Sequence, residues 1–255
     1  TGSLFGLMIL IMGFVPLTSW GKPVSQKRWI QLVISGIVAA IGTSVYFAVH
    51  QIQNALLFCI LWLLGTSILI TFYEIISFII SNFHNNKKEI SPSFSKKYRF
   101  LLGNLIHAGI IFMAFGIIGI EFLQKEQQFS LSPGEKTTVA QYLLTLNQIN
   151  QFDSDEGETI EAEIQIAAEN RVLGLLKPQR KYYSSYNQET TIPGIHSSLS
   201  GDLYIIMNAD SFESGEERKF TIFINPWVNW LWIGGIIVCI SGVFLWLGSL
   251  KKKSI

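Results

Sequence analysis

A single histidine, His107, lies within the apolar stretch from Leu101 to Phe122, which is long enough to cross a membrane. Ionisable side chains are costly in hydrocarbon, so one placed there is a functional hypothesis from the outset. Two chemistries are open to an imidazole at that depth: a hydrogen bond between helices, or axial ligation of a haem iron packed between them. Successive residues of a helix rotate by about 100°, which brings Gly103, Asn104, Ile110, Ile111, Ala114, Ile118 and Glu121 within about 60° of His107. Gly109 and Gly116 fall on roughly the opposite side, where small residues allow close helix packing. On the ligation reading, Gly103 and Ala114 leave room for the macrocycle, and a second histidine from elsewhere completes the site.

The other candidates carry less. His50 closes an apolar run as an interfacial polar cap, His84 lies in a basic loop, and His196 follows Pro193-Gly194-Ile195 as a turn residue. Glu74 and Glu121 lie toward the ends of their runs, where long acids snorkel to the interface. Cys59 and Cys239 both fall in apolar runs and read as small buried hydrophobes, not as a disulfide or redox pair. No nucleophile–base pair, phosphate loop or zinc spacing is present in the sequence.

These residues are set in a chain of 255 residues that is 49% hydrophobic and only 15% charged, a composition of the integral membrane class. A helix needs roughly 20 residues to span the hydrocarbon core. Five runs are candidates: Leu4–Trp20, Trp29–His50, Ala55–Ile80, Leu101–Leu123 and Trp227–Leu250. The first reads as a retained span, because it lacks a basic n-region and an A-x-A site. Basic residues gather in the loops after the first run (Lys22, Lys27, Arg28) and after the third (Lys87, Lys88, Lys96, Lys97, Arg99), and in the tail Lys251-Lys252-Lys253. All three fall on one side, so the positive-inside rule places the C-terminus in the cytoplasm and the Gln124–Ile224 insert outside it. The net charge of +1, with no basic domain, argues against a nucleic-acid partner.

The insert has the period of strands. Apolar and polar residues alternate in Thr159–Ile166, Leu203–Met207 and Lys219–Ile224, between turn signals at Ser132-Pro133-Gly134, Asp155-Glu156-Gly157, Pro193-Gly194 and Ser214-Gly215. Tyr142–Ile149 fits strand or helix and is taken as strand. The expected architecture is an α-helical integral membrane protein of about five transmembrane helices, with an antiparallel β domain inserted before the last. Its parts are a four-helix region (1–123), an extracytoplasmic β domain (124–225), and a final helix with a basic tail (226–255).

The order of features resembles the C-terminal half of the CcmF/NrfE-type cytochrome c haem-lyase family. The resemblance is carried by Gly103-Asn104-Leu105-Ile106-His107, Leu131-Ser132-Pro133-Gly134-Glu135, Pro178-Gln179-Arg180-Lys181-Tyr182 and Thr190-Thr191. Gly201-Asp202-Leu203-Tyr204 and the tryptophan-rich Asn225–Gly235 complete it, and Gly13–Leu17 followed by Trp20 resembles an earlier family segment. In two places the family's usual acid is replaced, by Gln179 and by Ile192.

The resemblance implies a bacterial cytoplasmic-membrane protein for cytochrome c biogenesis, part of a thioether-forming haem lyase that joins haem to apocytochrome c outside that membrane. It implies haem b as cofactor and His107 as one axial ligand to its iron, with no catalytic residue assigned. The second ligand is expected outside this chain, with the tryptophan-rich WWD segment of the missing N-terminal half. The implied partners are that half, a haem chaperone, apocytochrome c, assembly subunits and the lipid bilayer, and the chain alone is not expected to be active. The alternatives are a non-redox membrane scaffold whose β domain binds an assembly partner, and half of a transporter.

Overall fold

The computed structural model describes residues 25–84, 94–154, 157–169, 171–208 and 217–250. The run Leu4–Trp20, the Lys87–Lys88 pair and the C-terminal lysines lie outside these residues. The described chain contains four helices: α1 (Gln26–His50), α2 (Ala55–His84), α3 (Phe94–Leu123) and α4 (Val228–Leu250). Each is long and apolar enough to cross a membrane. The chain divides into a helical unit (Thr1–Ile118 with Trp230–Ile255) and a second unit, Gly119–Asn229.

Local chemistry sets the helix ends. α1 stops where Gln51 turns left-handed (φ 52°) and its N–H bonds back to the Phe47 carbonyl. Asn54 then starts α2, its side-chain oxygen accepting the Leu57 N–H at 3.0 Å. The two helices pack where Gly65 meets Ala39, with Trp62 Nε1 donating to the Gly36 carbonyl at 2.8 Å. The opposite face of α1 remains uncovered, with Val33, Ile37, Ile41, Val45 and Val49 all exposed. Such a face suits hydrocarbon, where exposing an apolar side chain costs nothing.

Among the described residues, the second unit holds ten strands in two antiparallel sheets. One has the order β1-β10-β9-β8, from β1 (Lys125–Leu131), β10 (Arg218–Pro226), β9 (Gly201–Met207) and β8 (Gly194–Ser198). The other runs β2-β3-β4-β6-β7: β2 (Lys136–Val139), β3 (Tyr142–Ser154), β4 (Gly157–Ala168), β6 (Gln179–Tyr183) and β7 (Gln188–Ile192). β5 (Arg171–Leu176) also pairs with β4. The period of two is realised in β4, where Ile160, Ala162, Ile164 and Ile166 are all buried. They meet Leu203, Ile205 and Met207 of β9 and Phe220 and Ile222 of β10 in one core. Tyr142 opens a strand, as its alternation suggests.

Two expectations are corrected. His196 is in strand β8, opposite Leu203, rather than in a turn. The Pro193-Gly194 pair misleads because Gly194 answers a packing need: a Cβ there would meet the Leu176 Cβ at 2.9 Å and the Pro178 Cδ at 3.0 Å. Cys59 and Cys239 are free, but exposed rather than buried. An apolar run implies burial only where the surroundings are water, and these helices have the composition of membrane spans.

Candidate functional site

His107 lies on α3, about 14 Å along the helix axis from Tyr98, the first residue of its apolar span. α3 is fixed against α4 by backbone contact. A Cβ on Gly109 would stand 2.7 Å from the Gly234 carbonyl oxygen, and one on Gly116 would stand 2.6 Å from the Leu231 nitrogen. Any side chain at these positions would push the helices apart. The face opposite His107 is thus the one in close contact, as the 100° rotation predicts. Phe112 reinforces the packing, with its ring centroid 5.2 Å from Trp230 of α4 and 6.3 Å from Phe72 of α2.

On the His107 side, Asn104, Ile111, Ala114 and Ile118 are buried, and the Asn104 amide donates to the Phe100 carbonyl at 3.0 Å. The imidazole itself is half-buried. A haem ligand must turn one ring nitrogen to the iron while the other keeps a hydrogen-bonding role. His107 fits in residue type, in depth and in room: a Cβ added to Gly103, one turn earlier, meets nothing within 4 Å. Its Nδ1 is enclosed and has no hydrogen-bond partner among the described residues. An enclosed ring nitrogen without a partner costs about 1–3 kcal/mol, so its retention calls for a role.

The remaining candidates stand apart from it. His50 ends α1 exposed, its ring 4.5 Å from that of Tyr46. Glu74 is half-buried and Glu121 exposed. Among the described residues no three His, Cys, Asp or Glu side chains gather as a metal site, so protein ligands to a metal would here be few. His107 accordingly stands by itself among the described residues, with no other candidate ligand gathered around it.

The motif residues of the β unit have structural work. In Leu131–Glu135, the Glu135 carboxylate accepts the Ser132 N–H at 2.8 Å, and Gly134 (φ 87°) donates its N–H to the Leu146 carbonyl. That turn binds β1 and β2 to β3. Arg180 donates to Thr191 Oγ1 at 2.7 Å and pairs with Glu189, so the Pro178–Tyr182 and Thr190-Thr191 motifs form one patch across β6 and β7. The two departures, Gln179 and Ile192, are cross-strand partners in that register. Gln179 donates to Glu161 at 2.6 Å.

A further contact was not legible in the sequence. The Asn229 amide donates to the Ser198 carbonyl at 2.6 Å and to Asp202 Oδ1 at 2.7 Å, and the Trp227 N–H donates to the Ser200 carbonyl at 2.9 Å. The tie joins residues about thirty positions apart, and no local pattern announces it.

Residues 122–226 match the CcmF C-terminal beta-sandwich family. The cytochrome c-type biogenesis protein NrfE of Haemophilus influenzae is 27% identical over 152 residues, covering 58% of this chain and 23% of that protein. The cytochrome c-type biogenesis protein CcmF of Escherichia coli is 21% identical over 146 residues, covering 56% of this chain and 22% of that one. A solved structure of the cytochrome c haem lyase CcmF shares the fold with a TM-score of 0.72 at 15% identity, over 95% of this chain and 38% of that one. The chain thus spans well under half of the length of these relatives.

Proposed function

We propose that this chain, which carries the CcmF C-terminal domain and is related to NrfE and CcmF over that part, is the C-terminal portion of a cytochrome c haem lyase. It is a multi-pass membrane protein of cytochrome c biogenesis kind. In the finer reading, it helps to join haem to apocytochrome c outside the cytoplasmic membrane of a bacterium. Its β domain faces the extracytoplasmic side, as the basic loops on the opposite side require. There it braces apocytochrome c or an assembly subunit.

His107 then supplies one axial ligand to a haem b within the membrane. Bound there, the haem would provide a one-electron redox centre. The chain's own residues do the positioning: the Gly109–Gly234 contact sets the rotation of α3, and Gly103 keeps the adjacent surface low. The second ligand, the WWD segment and the docking of a haem chaperone belong to an N-terminal portion, carried on the same chain or on a separate one. The observation that carries the reading is the conjunction of a CcmF-type β domain at 122–226 with an enclosed, unpartnered histidine nitrogen on the span just before it.

The test is co-expression with an N-terminal haem-handling portion, followed by reduced-minus-oxidised spectra of the purified assembly. His107→Ala should abolish the b-type signal while both portions still co-purify. A spectrum unchanged by that substitution refutes the ligand assignment. An assembly that holds no b-type haem even with His107 intact would instead favour a non-redox scaffold.

A further inference from the structure

The apolar span of α2, Ala55–Ser81, contains a single residue of Asp, Glu, Lys, Arg or His type, Glu74. The buried hydroxyls of that helix satisfy themselves: Ser67 Oγ donates to the Leu63 carbonyl and Thr71 Oγ1 to the Ser67 carbonyl, each at 2.9 Å. Glu74 stands about 10 Å along the axis from Ser81, the end of its span. An acid that far inside an apolar span is costly. It is also half-buried, unlike Glu121, which is exposed as a snorkelling acid should be.

Two ring contacts place this acid with respect to His107. Phe72 of α2 meets Phe112 of α3 with centroids 6.3 Å apart, and Phe78 meets Phe100 at 5.9 Å. The two helices therefore run antiparallel, side by side. Glu74 comes four residues before Phe78, and His107 seven after Phe100. At 100° per residue, Glu74 lies about 40° from the direction of Phe78 and His107 about 20° from that of Phe100. Both sit on the faces that meet. Along the axes from that contact, Glu74 is about 6 Å and His107 about 10 Å away in the same direction, a difference of less than one turn. Glu74 makes no bond to the imidazole Nδ1.

We infer that Glu74 sets the redox poise of the haem that His107 ligates, its carboxylate favouring ferric over ferrous iron and so holding the midpoint potential low. Ferric haem carries one more positive charge than ferrous haem. A negative charge on a helix packed at the usual 8–10 Å acts on that difference with little screening in a low-dielectric interior. Glu74 is then a positioning residue for charge, not a ligand. The inference rests on the ligand reading proposed above.

The experiment is a redox titration of the b-type haem in the assembly co-expressed with an N-terminal haem-handling portion, for the unsubstituted chain, Glu74→Gln, Glu74→Asp and Glu121→Gln. Glu121 serves as the distant acid, about 21 Å along α3 from His107. Glu74→Gln should retain the haem and raise its midpoint, so that the ferrous-to-ferric ratio at the unsubstituted midpoint rises at least threefold. Glu74→Asp, which keeps the charge, and Glu121→Gln should leave the midpoint in place. A midpoint unmoved by Glu74→Gln, or raised as far by Glu74→Asp, overturns the inference while the ligand reading stands. Should Glu74→Gln fail to retain haem, Glu74→Asp decides: an unaltered midpoint supports the role of the charge, and a raised one overturns it. An unsubstituted assembly without b-type haem, or b-type haem that survives His107→Ala, removes the ligand reading and this inference together.

Discussion

The β unit and the helices use the same kinds of apolar side chain in opposite ways. In the β unit, Leu144, Leu146, Ile164, Ile166, Ile205, Phe220 and Ile222 have no exposed surface at all. In α1 only Ala39 and Thr43 are buried, while a full face of valine and isoleucine remains uncovered. In water the second arrangement would be unstable; in hydrocarbon it costs nothing, because lipid tails are as apolar as the side chains they touch. What holds the helices together must then be shape, and the glycine contacts between α3 and α4 supply it. The β unit is held by removal from water, the helices by closeness of backbone.

That contrast is most easily broken in the β core. Phe220 stacks on Phe129 with ring centroids 5.5 Å apart and is fully buried. Phe220→Ala should cost about 3–5 kcal/mol of local stability, read as lost hydrogen-exchange protection across β9 and β10. A fall in protection of less than about 1 kcal/mol would mean the core is not the chief stabiliser of this unit. The next effect belongs to the helices. A side chain at position 234 would lie 2.7 Å from the Met113 nitrogen, a backbone atom that cannot yield. Gly234→Leu should cost about 1–3 kcal/mol or more through overpacking, seen as a lower midpoint for thermal unfolding in detergent. It should also reduce b-type haem in the assembly by turning α3, whereas Gly235→Leu, with nothing within 4 Å, should leave both unchanged.

Much of this was open to a reader of the sequence, for definite reasons. Alternation in Thr159–Ile166 exposed the core of β4, because a strand's side chains have a fixed period of two. Helical rotation separated the Gly109–Gly116 face of α3 from the His107 face before any partner was known. The partner itself, Gly234, required knowing that α4 lies against α3 across an insert of more than a hundred residues. The same limit hid the Asn229 tie and the pairing of Gln179 with Ile192, which depend on register between strands. His196 was misplaced because glycine after proline signals a turn locally, whereas Gly194 is there to admit Leu176 and Pro178. His107 was conspicuous for another reason: the expense of an imidazole in an apolar run marks the residue without knowledge of any partner, while its choice between helix packing and haem ligation is left to the spectra of the His107→Ala assembly.

Smaller effects test the surface of the β unit. Lys177 bridges Glu163 at 2.8 Å and Glu161 at 3.1 Å on the outer face of the larger sheet. The hydrogen bond from Lys177 holds the Glu163 carboxyl below its ordinary pKa, and that bond, with a second to Glu161, raises the Lys177 ammonium above its own. The Glu163 contribution is thus present above the usual carboxylate range and lost as pH falls through the lowered value. That of Lys177 is present below its ordinary range and lost as pH rises through the raised value. Glu163→Gln should flatten part of the acid limb of a stability–pH curve and leave most of the alkaline limb, since Glu161 still engages Lys177. An acid limb identical to that of the unsubstituted chain would show that the bridge is screened away.

The smallest expected effect is the most informative about the helices. Ile37 of α1 is 55% exposed. Deleting a comparable side chain from the β core is costly because the atoms leave a packed, dry interior and open a cavity. If lipid covers Ile37, the tails close over the deletion and no cavity forms. Ile37→Ala should then change the stability of the chain in nanodiscs by less than about 0.5 kcal/mol. A loss of about 2 kcal/mol or more, appearing only when the N-terminal portion of a longer protein is present, would mean that this face is a protein interface instead. The apolar faces of α1 would then belong with the Gly109–Gly234 contact, as surfaces shaped to be packed.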